Sequence, residues 1–127
     1  MLKHYNQTGL ALIINQHGRI HQVLIEQIRY IEIDSYLITV CMGENTQQES
    51  FAATSPLNHY EELLLPHGFF RINSKHLINL RHLQRLDTAK RQALLQGYHE
   101  PLTVSRESGR RPRNILLGRA TDTLQSD

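Results

Sequence analysis

The sequence contains a single cysteine, Cys41, and no long apolar run. One cysteine leaves no partner for an internal disulfide, which favours a reducing compartment. A membrane-spanning helix needs roughly 18 or more apolar residues in succession, and no window provides them. The N-terminus also lacks the apolar stretch of a signal peptide. These absences predict a cytoplasmic protein without membrane contact, and 127 residues with 39% apolar content fit one domain with a modest core.

Catalytic and metal-binding patterns are missing as well. No HExxH or CxxC motif is present, and the eight histidines lack the spacing of metal ligands. Cys41 lies in an apolar strand pattern, which is typical of a small core residue. Ser105 is not part of a GxSxG motif, and the glycines form no phosphate-binding loop. The sequence therefore predicts no enzyme, no cofactor and no metal.

Charge is divided unevenly along the chain. Residues 1–65 carry three basic and seven acidic side chains, a balance of −4, whereas residues 66–127 carry eleven and five, a balance of +6. This asymmetry favours a polyanionic partner for the second half, with a merely solvated surface as the simpler alternative. Aromatic residues make up only 6%, which disfavours single-stranded nucleic acid because its binders need stacking platforms. The basic residues form two clusters, Arg71, Lys75, Arg81 and Arg85, and Arg106, Arg110, Arg111 and Arg113.

Short apolar segments rich in branched residues predict a mainly β fold of antiparallel sheets. The first two form a hairpin around Gly18, and the next two are joined by the turn formers Asp34 and Ser35. A more polar segment fits an edge strand, and a last hairpin turns around Gly97. The predicted strands are residues 10–15, 20–25, 28–33, 36–42, 47–53, 69–72, 76–80, 91–97 and 100–105.

One short central helix interrupts these strands. Thr54 or Ser55 can cap it and Pro56 suits its first turn. Spacings of three and four residues then place Leu57, Tyr60 and Leu64 on one face. A second short helix fits residues 106–117, and the polar residues 118–127 are expected to fray.

The stretch "GFFRINSKHLINL", residues 68–80, places many hydrogen-bond donors between two apolar segments. Phe70 is expected in the core. Arg71 and Asn79 are flanked by apolar residues, so internal hydrogen bonds are favoured over ligand contacts for both. Asn73, Ser74, Lys75 and His76 lie between them as a polar projection.

These segments together resemble the LytTR-type DNA-binding domain of bacterial response regulators. The resemblance rests on "YIEIDSYLITV", the helix "LNHYEELL", the F-x-R-x-N-x-K-x-L-I-N pattern and the closing "VSR". It covers about residues 10–117, with residues 1–9 as an N-terminal tail. It implies antiparallel β-sheets with little helix, and loops that bind duplex promoter DNA. It also implies binding to direct repeats, with protomers side by side.

The resemblance implies three DNA-contacting places: the turn after "YIEI", the segment after F-x-R, and the region following V-S-R. Ser74 and Glu107 stand where the family often has long polar or basic residues, so the base preference cannot be copied from relatives. Asn73 can pair with adenine, or it can cap the turn by bonding its own backbone. The expected DNA-binding residues are Ser35, Tyr36, Asn73, Ser74, Lys75, His76, Arg106, Glu107, Arg110, Arg111 and Arg113.

The sequence therefore favours a sequence-specific, duplex DNA-binding transcription regulator of a two-component system. One alternative is a protein-interaction module on the same fold that has lost specific DNA binding, as Ser74 and Glu107 would allow. A small hydrolase that uses Ser105 or a histidine is a weaker third hypothesis.

Overall fold

A computed structural model describes residues 2–4, 10–43, 48–52 and 55–106. Short 3-10 turns cover Ile25–Gln27, Leu65–His67 and Leu80–His82. The remaining regular elements are β1 (Leu2–His4), β2 (Leu10–Gln16), β3 (Arg19–Leu24), β4 (Ile28–Asp34), β5 (Leu37–Met42), β6 (Gln48–Ala52), α1 (Leu57–Leu64), β7 (Phe69–Arg71), β8 (His76–Asn79), β9 (Leu83–Asp87), β10 (Gln92–Leu95) and β11 (Leu102–Thr103).

The strands form three antiparallel sheets. Their orders are β1-β2-β3, β6-β5-β4-β8-β7 and β11-β10-β9. The predicted mainly β fold with one short helix is confirmed, as are the β2–β3 hairpin and the edge position of β6. The last hairpin, β10–β11, also forms with Gly97 in its connection.

Two of the strands in the described residues were not predicted. β9 is one of them, because Leu83 and Leu86 are separated by polar residues at a spacing that does not alternate. β1 lies in the segment assigned to the N-terminal tail, and it pairs with β2 from Leu2↔Leu12 to His4↔Leu10. Residues 107–127 lie outside the described residues. The helix predicted for 106–117 therefore lies outside them as well, apart from Arg106.

Helix α1 buries Leu57, Tyr60 and Leu64 as its spacing predicts. Its N-terminal boundary differs from the prediction. Pro56 is the N-cap residue, and no described side chain caps the helix, so Ser55 does not have the expected role, while Thr54 lies outside the described residues. The chain leaves the helix through a 3-10 turn and Gly68, whose φ of 87° favours glycine.

The central five-stranded sheet contributes to two hydrophobic cores because its side chains alternate between faces. In β8, Leu77 joins the core shared with β2, β3 and α1, whereas Ile78 joins the core shared with β10. β8 pairs with β4 through Glu32↔His76 and Tyr30↔Ile78. This register brings the loop before β8 to the end of β4, next to the β4–β5 turn.

Candidate nucleic-acid interface

The β4–β5 turn and the loop before β8 touch at one end of the central sheet. The backbone N–H of Ile33 donates to the carbonyl oxygen of Lys75 at 2.9 Å. Lys75 Nζ lies 3.4 Å from Asp34 Oδ1, and both side chains are more than half exposed. Ser35 has a φ of 57°, in the left-handed region, and Tyr36 beside it is 85% exposed. The turn therefore projects its side chains beside Lys75.

The segment that carries V-S-R lies on the other side of the same loop. The N–H of Ser105 donates to the carbonyl oxygen of Ile72 at 2.7 Å. The Nδ2 of Asn73 donates to the carbonyl oxygen of Thr103 at 2.6 Å. Three places that are distant in the sequence are thus joined by hydrogen bonds around residues 72–75. We call this group, residues 34–36, 72–75 and 104–106, the loop surface.

Both polar atoms of the Asn73 side chain are used within the protein. Besides the bond to Thr103, its Oδ1 accepts from the backbone N–H of Lys75 at 2.8 Å. The same oxygen lies 3.0 Å from His76 Nδ1. Of the two alternatives for Asn73, this geometry is the one in which it caps its own turn. The amide shapes the loop and presents Ser74, which is exposed, at its tip.

The guanidinium of Arg71 binds two backbone carbonyls of the same loop. Its Nε donates to the carbonyl oxygen of Asn73 at 3.2 Å, and its Nη2 donates to that of Ser74 at 3.1 Å. Nη1 donates to Asn58 Oδ1 and lies 3.6 Å from Glu61 Oε1, both on α1. The planar guanidinium can make these contacts together because its donors are fixed in a fork. Arg71 therefore anchors the loop to the helix.

Asn79 and Phe69 provide the buried support. Asn79 is 1% exposed; its Nδ2 donates to Ile28 O at 3.0 Å, and its Oδ1 accepts from Arg81 N at 3.1 Å. Phe69 is fully buried, whereas Phe70, the expected core residue, is only partly buried against the second core. The alternation of a strand explains this difference, because neighbouring side chains point to opposite faces.

His76 connects the loop surface to β4. Asn73 Oδ1, which also accepts from Lys75 N, has no proton to donate. His76 Nδ1 is therefore the donor, and the neutral ring carries its proton on Nδ1. The other nitrogen lies 3.6 Å from Glu32 Oε2. Burial lowers the pKa of His76, Glu32 opposes this change, and Lys75 adds to it. The ring also packs 5.8 Å from that of Tyr30, and it is an internal part of the site.

The exposed members of the loop surface are those available to a ligand. Of the residues expected to bind DNA, Glu107, Arg110, Arg111 and Arg113 lie outside the described residues. His76 and Asn73 are partly covered. Five of the residues expected to bind DNA are exposed and lie together in the structure, namely Ser35, Tyr36, Ser74, Lys75 and Arg106.

One element beside the loop surface, the turn between β9 and β10, was not predicted from the sequence. The carbonyl oxygen of Arg91 accepts from the N–H of Val104 at 2.9 Å, so this turn adjoins the loop surface. The turn formers in "DTAK" were a signal for it, but β9 itself was not recognised. The contact of Arg71 with Asn58 and Glu61 was not predicted either, because it depends on how α1 packs against β7.

Two titratable side chains, those of Cys41 and Tyr98, are buried in the second core. Cys41 is 1% exposed, and burial raises the pKa of its thiol. Tyr98 packs 5.4 Å from Tyr30 in the same core, and burial raises its pKa to about 12. Within the described ranges, no group of three or more His, Cys, Asp or Glu side chains is arranged to hold a metal ion. No helix in these ranges is long and apolar enough to cross a membrane.

Comparisons with known proteins agree with this architecture. The structure superimposes on the solved LytTr DNA-binding domain of a Bacillus cereus protein described as a methyl-accepting/DNA response regulator. The TM-score is 0.64 at 18% identity, with 84% of this chain and 95% of that chain covered. The Sensory transduction protein LytR of Staphylococcus saprophyticus is 30% identical over 81 residues, which is 64% of this chain but only 30% of that relative.

The sequence profile of the LytTr DNA-binding domain matches residues 18–116. This match spans most of the 127 residues and includes all three segments of the loop surface. The chain belongs to the LytTr DNA-binding domain family.

Proposed function

We propose that this chain binds duplex DNA in a sequence-specific manner and acts as a bacterial transcription regulator in the cytoplasm. The observation that carries the proposal is the joining of three loop segments around Asn73, with Ser74, Lys75 and Tyr36 exposed on the outside. Family membership supports duplex DNA as the ligand. The name of the Staphylococcus saprophyticus relative supports a role in signalling, although the chain spans only 30% of its length.

The exposed side chains divide into two kinds of contact. Lys75 is a flexible point charge, so it suits a phosphate better than a base. Its exposed pair with Asp34 is weak, and a phosphate can replace the carboxylate at little cost. Ser74 is short and exposed, so it contacts a base edge either at close approach or through a water. Tyr36 offers an apolar ring and a hydroxyl beside them.

Residues behind this surface act by positioning it. Arg71 fixes two carbonyls of the loop, the Asn73 side chain accepts from the backbone N–H of Lys75, and His76 ties the loop to Glu32. We propose that Arg106 contacts the duplex directly, and that Glu107, Arg110, Arg111 and Arg113 continue this contact. Two protomers side by side on direct repeats would present the same surface to successive turns of the duplex, about one helical turn apart.

Selection from a random duplex library tests the proposal. The fragment that is enriched is then titrated in a mobility-shift assay beside a scrambled fragment of equal length and composition. We expect the selected fragment to bind roughly a thousandfold tighter. A two-repeat fragment should bind two protomers, and a one-repeat fragment one.

Lys75→Ala is the matched variant for this assay and Arg81→Ala its control. Both cations are exposed, but Arg81 lies beyond the opposite end of β8. We expect only Lys75→Ala to weaken binding. Equal affinity for selected and scrambled DNA would refute sequence-specific recognition. No binding to any duplex would favour the protein-interaction module instead.

A further inference from the structure

The turn between β9 and β10, residues 88–91, lies at the same end of the molecule as the loop surface. The chain runs from Lys75 along β8 to Asn79, reverses through the 3-10 turn Leu80–His82, and returns along β9 to Asp87. At the Leu80–His82 turn, the end of β8 opposite to Lys75, His82 Nε2 lies 2.6 Å from Glu26 O, and Gln96 N donates to His82 O at 2.8 Å. The start of β8 and the end of β9 therefore point the same way.

Hydrogen bonds fix this turn against the third segment of the loop surface. Gln92 pairs with Thr103 in the β10–β11 ladder, and Val104 N donates to Arg91 O at 2.9 Å. Thr103 O in turn accepts from Asn73 Nδ2 at 2.6 Å. The segment of Val104 and Ser105 therefore lies between Arg91 on one side and Ile72 on the other, one strand spacing from each. Two strand spacings amount to about 10 Å.

The turn presents two cations to solvent. Lys90 and Arg91 are exposed, and within the described residues neither side chain forms an ion pair. The backbone of the turn is bonded to its own first residue, since Lys90 N donates to Asp87 Oδ1 at 2.9 Å, and Arg91 has a left-handed φ of 54°. Lys75 differs from them because Asp34 partly neutralises it. The turn therefore carries two cations without an ion pair at the edge of the loop surface, and Asp87, which accepts from Lys90 N, leaves it with a net positive charge.

We propose that Lys90 and Arg91 form a fourth DNA-contacting element, which binds phosphates beside the segment contacted by the loop surface. This inference rests on the proposed function and adds a flanking phosphate contact to it. The proposal takes this row of strands to run along the duplex axis, where a displacement of about 10 Å corresponds to about three base pairs at about 3.4 Å each. Arg and Lys without a fixed base partner contribute affinity and salt dependence, not sequence preference.

The double variant Lys90→Gln with Arg91→Gln tests the charge. Each lost phosphate contact reduces the slope of log affinity against log salt by about 0.9. We expect a slope flatter by about 1 to 2 units, with base preference retained. Arg81→Gln, an exposed cation at the opposite end of β8, should leave the slope unchanged. Lys90→Arg with Arg91→Lys should also leave it unchanged, and thermal melts confirm that each variant folds.

Trimming the duplex provides the second measurement. Removing about three base pairs from the flank nearest the turn should weaken wild-type binding several-fold and leave the double variant's affinity nearly unchanged. An unchanged salt slope, or an equal loss on trimming for both proteins, would overturn the fourth contact while wild-type binding still upholds the proposed function. Failure of the wild type to bind any duplex would overturn both.

Discussion

The side-chain amide of Asn73 donates to the main-chain carbonyl of Thr103 at 2.6 Å, across 30 residues of sequence. The oxygen of the same amide accepts from Lys75 N at 2.8 Å. One small side chain therefore joins the loop before β8 to the segment that leads into V-S-R. This arrangement makes Asn73 the internal connection of the loop surface, and it leaves its neighbours to meet the ligand.

Replacing Asn73 should accordingly affect folding and binding together. Asn73→Ala removes three intramolecular contacts, and each net hydrogen bond contributes about 1 kcal/mol to the free energy of unfolding. We expect a lower melting temperature and weaker binding to all sequences, with the base preference unchanged. Thermal melts and titrations against a panel of single-base variants measure both effects.

Ser74→Ala is the matched control, because Ser74 is exposed and adjacent. It should keep the melting temperature of the wild type and alter affinity only at the selected site. If Asn73→Ala keeps full stability and relaxes preference at one or two base pairs, Asn73 reads bases and its internal bonds are secondary.

The pair between Asp34 and Lys75 should compete with DNA. Asp34→Asn removes a carboxylate 3.4 Å from Lys75 Nζ and so releases the cation for a phosphate. We expect tighter binding to specific and non-specific duplexes alike, and little change in stability because exposed pairs contribute about 0–1 kcal/mol. In Lys75→Ala, the same Asp34→Asn change should have a smaller effect, which a double-mutant cycle measures.

Glu26→Gln provides the control for a lost negative charge, since Glu26 is exposed and lies beside His82 at the far end of the sheet. It should leave binding nearly unchanged. Equal gains from Asp34→Asn and Glu26→Gln would mean that net charge alone is responsible, and would remove the special role of Lys75.

The two adjacent phenylalanines should differ in their contribution to stability. Phe69 is fully buried, so Phe69→Ala should reduce the free energy of unfolding by about 3–5 kcal/mol. Phe70 is only partly buried, so Phe70→Ala should have a smaller effect. Denaturant unfolding followed by circular dichroism compares them. Equal losses would contradict the alternation of the two side chains between the cores.

His76 should make stability depend on pH. Burial lowers its pKa below 6.5, so near that pH the unfolded chain binds a proton that the folded protein does not. The folded state therefore loses stability as the pH falls from about 6.5 through the lower folded pKa. The nearby charges of Glu32 and Lys75 oppose and reinforce this shift, respectively.

His76→Gln removes this proton linkage. The unfolding free energy of the wild type minus that of His76→Gln should therefore decrease as the pH is lowered from 7.5 to 5.5. Denaturant titrations at several pH values measure it, and the subtraction cancels the other histidines. A difference that stays constant, or grows in favour of the wild type at low pH, would contradict burial as the dominant influence.

Much of the fold follows from local patterns, because branched apolar segments and turn formers mark most strands. β9 was not predicted because Leu83 and Leu86 are three residues apart, which is not the two-residue alternation of a strand. The convergence of the three segments could not be read from residue pattern alone, because it depends on the non-local pairing Glu32↔His76. The Asn73–Lys75 turn is local and was one of two open alternatives, whereas the bond to Thr103 depends on tertiary structure.

We propose above that duplex DNA binds at the loop surface. An NMR titration of the labelled protein with the selected duplex tests it most directly, because every backbone amide reports its own environment. We expect the largest shifts in residues 34–36, 73–75 and 104–106, and little change in Glu26, Gly43 and Arg81 at the opposite end of the sheet. Shifts concentrated at that opposite end, with the loop surface unaffected, would refute DNA binding at the loop surface.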